Sequence, residues 1–163
     1  MTGAQRHNRP ATSAPPPELA ALIDDFFRCV SFAAGEQPRY DGLRALFIAE
    51  GRLIKNSLDS PDIADVDQFI ATRRALIDAG ALTSFGEVER SEITEWFGNI
   101  AHRLTVYDKR GTMNGHAFEG RGVISTQFIR TPAGWRISVM AWDDERPGLA
   151  LADHYAVGDA DPP

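Results

Sequence analysis

Only one cysteine, Cys29, occurs in the 163-residue chain, so no intramolecular disulfide can form and the fold must rest on a packed core. That usage suits a reducing compartment, and a cytoplasmic location is the expectation. Long hydrophobic runs are also missing. None approaches the roughly 18 residues of a membrane span, and MTGAQRHNRPATSAPPP lacks the continuous apolar stretch of a secretory leader. Basic charge is scarce as well: 17 Lys and Arg stand against 23 Asp and Glu, for a net charge of -6. A nucleic-acid partner is therefore not expected, because neutralising phosphates takes a clustered surplus of Lys and Arg.

The motifs of several enzyme classes are absent. There is no G-x-x-x-x-G-K-[ST] phosphate loop, no G-x-S-x-G nucleophile elbow and no H-E-x-x-H zinc helix. The four histidines, His7, His102, His116 and His154, show no ligand spacing, so neither a metal nor a cofactor is expected. The Gly-rich DKRGTMNGHAFEGRG does not follow the strand-to-helix order of a dinucleotide site. It reads as a long hairpin loop with Gly at turn positions.

What is present fits one domain over residues 18–146, with a disordered tail at 1–17 and a C-terminal tail at 147–163. Leu19, Leu22, Ile23, Phe26 and Val30 recur at helical spacing behind Pro17 and Glu18, which predicts a first amphipathic helix. Leu43, Leu46 and Phe47 suggest a short second helix leading into a strand at Gly51 to Asn56. Asp65 and Gln68 form a capping-box pattern ahead of a third helix, whose one face carries Val66, Phe69, Ile70, Arg73 and Ile77 and which Gly80 can end. The remainder reads as strands near Thr83 to Trp96, Asn99 to Tyr107, Arg121 to Thr131 and Trp135 to Asp143. The expected class is α+β: a curled antiparallel sheet with three N-terminal helices, forming a cone-shaped barrel with a pocket.

The segments LRALFIAEGRLI, GNIAHRLTVYDKRG and GRGVISTQFIRTPAGWRISVMAWDDE, in this order of elements, resemble the nuclear transport factor 2-like superfamily. The nearest likeness is to its bacterial polyketide cyclase-like (SnoaL-like) and ketosteroid isomerase-like branch. That resemblance implies a small apolar or polycyclic ligand in the cone. It also places the isomerase tyrosine and aspartate near Phe27 and near Lys55 or Asn56, none of which supplies the needed group.

Other residues become the candidates. His102 shares a strand side with Ile100, Leu104 and Val106, and is either a satisfied core histidine or a pocket acid/base. With a regular last strand, Asp143 falls on the side of Trp135, Ile137 and Val139, while Asp144 joins Met140 and Trp142 opposite; Asp143 is then either a cavity-mouth acid/base or a solvated strand end. His102 and Asp143 are thus the expected catalytic pair, with Phe27, Asn56, Trp135, Ile100 and Leu104 as ligand contacts. Bulky residues on both strand faces, Met140 and Trp142 among them, suggest a homodimer through the sheet, across which Arg103, Gln127 and Arg130 could pair. Two functions remain open: a cofactor-free acid/base enzyme or binder of a hydrophobic molecule, and a non-catalytic homodimeric module with a vestigial pocket.

Overall fold

The computed structural model describes residues 14–57, 59–152 and 155. Most of both expected tails, with His7 and His154, lies outside the described residues. Helix α1 (Pro17–Val30) is followed by a 3-10 helix (Tyr40–Ala45), strands β1 (Phe47–Lys55) and β2 (Asp62–Ala64), and helix α2 (Val66–Asp78). Four long strands complete the order: β3 (Leu82–Phe97), β4 (Ile100–Met113), β5 (His116–Thr131) and β6 (Gly134–Asp144). The α+β class is as expected, although the short second helix is a 3-10 helix.

The expected amphipathic face of α1 is buried along its length by Leu19, Leu22, Ile23, Phe26, Phe27 and Val30. Proline stands in its first turn, where no backbone donor is lost, and Glu18 there complements the helix dipole. Helix α2 starts on the expected capping box: the Gln68 backbone N–H donates to Asp65 Oδ1 at 2.8 Å, and the Asp65 N–H donates to Gln68 Oε1 at 2.9 Å. It fully buries only Val66 and Ile70, so it is the more lightly seated helix.

One six-stranded sheet runs in the order β2-β1-β6-β5-β4-β3. The last four strands form the expected antiparallel meander, but β1 lies parallel to β6, so the sheet is mixed and not purely antiparallel. The Gly-rich segment is not a loop. Strands β4 and β5 continue through it to a two-residue turn at Asn114 and Gly115, whose positive φ values of 52° and 76° match a primed hairpin turn. Its three other glycines sit inside strands, and two of them face large side chains. A Cβ on Gly122 would lie 2.5 Å from the Tyr107 hydroxyl, and one on Gly111 would lie 2.8 Å from the Phe118 ring. Each glycine therefore lets a large side chain from the neighbouring strand lie flat on the sheet.

Register shifts on β3 at Glu89/Ser91, and between β5 and β6 beside Ser138, bend the sheet. Its concave face packs Tyr107, Phe128, Ile137 and Met140 against α1 and the 3-10 helix in a single core. The convex face leaves Ile93, Phe97 and Ile100 exposed. Beyond β6 the chain turns at Arg146 and Leu149, and the Ser91 hydroxyl donates to the Tyr155 carbonyl at 3.1 Å. No helix among the described residues is long and apolar enough to cross a membrane.

Candidate functional site

The concave face, α1 and α2 enclose a small cavity. Phe26 and Val30 come from α1, Phe69 and Arg73 from α2, Phe85 and Glu87 from β3, and Ile124, Met140 and Trp142 from the sheet floor. Its volume is about 20 Å³, room for a single water molecule. Phe69 meets Trp142 edge-on at 6.4 Å between ring centroids, which closes the helix side.

Two of these wall residues are charged. Glu87 alternates with Phe85 along β3 and so points the same way into the cone. Burial, with a smaller contribution from the Asp144 carboxylate, raises its carboxyl from 4.5 to about 7 against the pull of Arg73 and Lys109. Arg73 lies over two rings, its guanidinium carbon 5.2 Å from the centroids of both Phe69 and Phe85.

Deeper on the concave face, the Tyr107 hydroxyl donates to Asp144 Oδ1 and Lys109 Nζ donates to Asp144 Oδ2 at 2.7 Å. Burial first, then its bond to Asp144, pushes the Tyr107 phenol far up, so it is a fixed proton donor. A second buried network holds Arg103, whose guanidinium donates to both Glu89 carboxylate oxygens at 2.5 and 3.1 Å and to Thr94 at 2.9 Å. Arg103 thus faces the inside of the curl and is no part of an interface across the convex face. Three of its five N–H donors are committed there and Nη1 also pairs with Glu92 at 3.0 Å, which marks a structural role.

The structure does not bring the expected catalytic pair together. His102 and Asp143 both project from the convex face, but they pair with Gln127 and Val123 on opposite sides of β5, four positions and therefore about 13 Å apart along that strand, with two strand spacings between them as well. His102 Nε2 lies 3.3 Å from Ser125 Oγ, and Asp143 binds Arg146 at 2.5 Å, an ion pair that holds its carboxyl below the usual range. An extra residue in β6 sets the face on which Asp143 lies. Ile137 pairs with Phe128 and Val139 with Gln127, so Ser138 is a bulge that shifts the alternation by one. Beyond it Met140, Trp142 and Asp144 turn inward and Asp143 turns out. Met140 and Trp142 are accordingly inside the cone, not on the face opposite the helices.

The expected ligand contacts divide in the same way. Phe27 and Trp135 are buried in the core, while Phe26 and Trp142 line the cavity. Asn56 is exposed and its backbone N–H donates to the Trp142 carbonyl at 3.0 Å. Ile100 is 58% exposed on the convex face, and Leu104 is half-buried farther along the same face. Among the described residues no group of three or more His, Cys, Asp and Glu is placed to hold a metal ion.

No protein-family model matches the chain, and no curated protein matches it either. Solved structures do match. A nuclear transport factor 2-like superfamily protein from Salmonella enterica serovar Typhimurium superposes with a TM-score of 0.66 at 15% identity, covering 83% of this chain and 95% of that one. A nuclear transport factor 2-like protein from Cytophaga hutchinsonii gives 0.62 at 10% identity, over 82% of this chain and 100% of the other. A candidate aromatic ring hydroxylase from Novosphingobium aromaticivorans gives 0.67 at 14% identity, over 88% and 99%. At these identities the likeness is one of fold, and the fold is the nuclear transport factor 2-like cone.

Proposed function

We propose, with a nuclear transport factor 2-like cone as the premise, that the chain binds a small, mainly apolar molecule between its helices and the concave sheet, and that Glu87 exchanges a proton with it. The position of Glu87 carries this reading: a carboxyl raised to about 7 in the wall of an otherwise mostly apolar cavity. Near neutral pH both of its forms are populated, so one group can take a proton and return it. In the simplest balanced step, the carboxylate removes a proton from a carbon beside a carbonyl and the electron pair moves onto the carbonyl oxygen. The same carboxyl then returns the proton to carbon, and nothing is oxidised or reduced. This is the class of chemistry of the cyclase-like and isomerase-like branch that the sequence resembles, carried by other residues.

The cavity must widen to admit a ligand, and α2 is the element suited to move because so little of it is buried. Cyclohexanone in D2O is a suitable probe. We expect saturable amide shifts confined to the cavity walls, protein-accelerated deuterium exchange beside the carbonyl, and loss of the acceleration but not of binding in Glu87→Gln. Absence of any saturable shift at millimolar probe would overturn the binding, and undiminished exchange in Glu87→Gln would overturn the role of Glu87.

The size of the cavity favours a second reading. A space of only about 20 Å³ is what a non-catalytic homodimeric module would retain, and Ile93, Phe97 and Ile100 offer a second copy an apolar surface. Its mark is a dimer that binds no probe.

A further inference from the structure

The geometry points to a ligand that carries a carboxylate: Arg73 takes the acid group at the helix side of the cavity, and the phenyl and aliphatic walls take the apolar body. This rests on the pocket reading above and specifies what the pocket selects.

Three observations converge on Arg73. First, the guanidinium is fixed by two rings and not by an anion, with Phe69 and Phe85 each 5.2 Å away. Its planar fork is thereby pre-organised, and a carboxylate is the group whose two oxygens match that fork. Second, none of its N–H groups donates to another described residue, whereas Arg44, Arg74 and Arg103 all donate to carboxylates. Third, the local charges do not close. Lys109 and Asp144 form a 2.7 Å pair, with Tyr107 on the other carboxylate oxygen. Glu87 is the carboxyl that faces Arg73, yet no hydrogen bond joins them and burial holds Glu87 towards its neutral form. A half-buried cation is thus left without a fixed counter-ion in the wall of a cavity, and an anionic ligand would complete it.

The same arrangement links binding to pH. Ionised Glu87 and a ligand carboxylate would compete for Arg73, so the acid binds best while Glu87 is protonated. The groups facing Glu87 are Arg73 from α2, Lys109 and Tyr107 from β4, Asp144 from β6 and Tyr40 from the 3-10 helix. With a midpoint near 7, affinity for the acid falls about tenfold between pH 6 and pH 8.

Calorimetric or NMR titration with phenylacetate and its neutral isostere phenylacetamide tests the inference on the full chain. At pH 6 phenylacetate should bind at least about tenfold more tightly than the amide, as expected for a charge-assisted fork against a neutral contact. Arg73→Gln should abolish the preference for the acid, and amide-induced shifts retained at Phe26, Ile124 and Met140 on the far walls show that the cavity is intact. Arg73→Lys should keep part of it, and Glu87→Gln should make acid binding independent of pH between 6 and 8. If acid and amide bind equally and Arg73→Gln changes neither, the inference fails and the pocket stands. If neither probe binds at millimolar concentration to folded protein, the pocket reading fails with it.

Discussion

At the scale of single residues, the account turns on Glu87. Its carboxyl is raised, so between about pH 4.5 and 7 the folded state holds more of its proton than the unfolded chain does. Stability contributed by this group is therefore greatest at low pH, falls as pH rises through that window, and is level above it, for a total of up to about 3 kcal/mol. Glu87→Gln removes the ionisation. It should leave the unfolding midpoint near the parent value at pH 5 and raise it by several degrees at pH 8, as scanning calorimetry at the two values would show. Part of this site was legible in the sequence. Arg73 stands on the apolar face of its helix with Val66, Phe69, Ile70 and Ile77, a cation where the pattern asks for a hydrocarbon. Glu87 alternates with Phe85, but nothing local separates an inward acid from an outward one when neighbouring Glu89, Glu92 and Glu95 recur along the same strand.

At the scale of elements, the sequence specifies existence and type well and facing poorly. The capping box of α2, the apolar face of α1 and the Asn114-Gly115 turn each have a local cause, and each stands where that cause puts it. The facing of β6 does not, because one bulged residue, Ser138, reverses every side chain after it. That single shift moves Asp143 to solvent, where it pairs with Arg146, and brings Asp144 to Tyr107 and Lys109. Likewise the strand glycines of β4 and β5 look like loop residues until their partners are seen. Gly122 lies against the Tyr107 hydroxyl and the Asp143 carbonyl, where an added Cβ would stand 2.5 and 2.4 Å away. Gly122→Ala should therefore destabilise the fold by about 1–3 kcal/mol in denaturant unfolding, since backbone on one side cannot yield. Gly86→Ala in β3 meets nothing within 4 Å and serves as the control.

At the scale of the whole molecule, the concave face is committed to the core and the convex face is not. Ile93, Phe97 and Ile100 are 51%, 84% and 58% exposed at one end of the sheet, a concentration of apolar surface that a second copy related by a two-fold axis could cover with the same patch. The homodimer expected from sequence is thus proposed on this surface, with Met140 and Trp142 excluded from it. Sedimentation at micromolar concentration should report a dimer, and Phe97→Asp should yield a folded monomer; a parent chain that sediments as a monomer would count against the interface. The cone and its lining stand apart from that question, because no convex-face residue reaches the cavity. The measurement that bears most directly on the central claim is a pH titration of the Glu87 side-chain carboxyl by carbon NMR, assigned through Glu87→Gln. The account predicts a midpoint near 7, and a midpoint near 4.5, the value of a solvated glutamate, would contradict it.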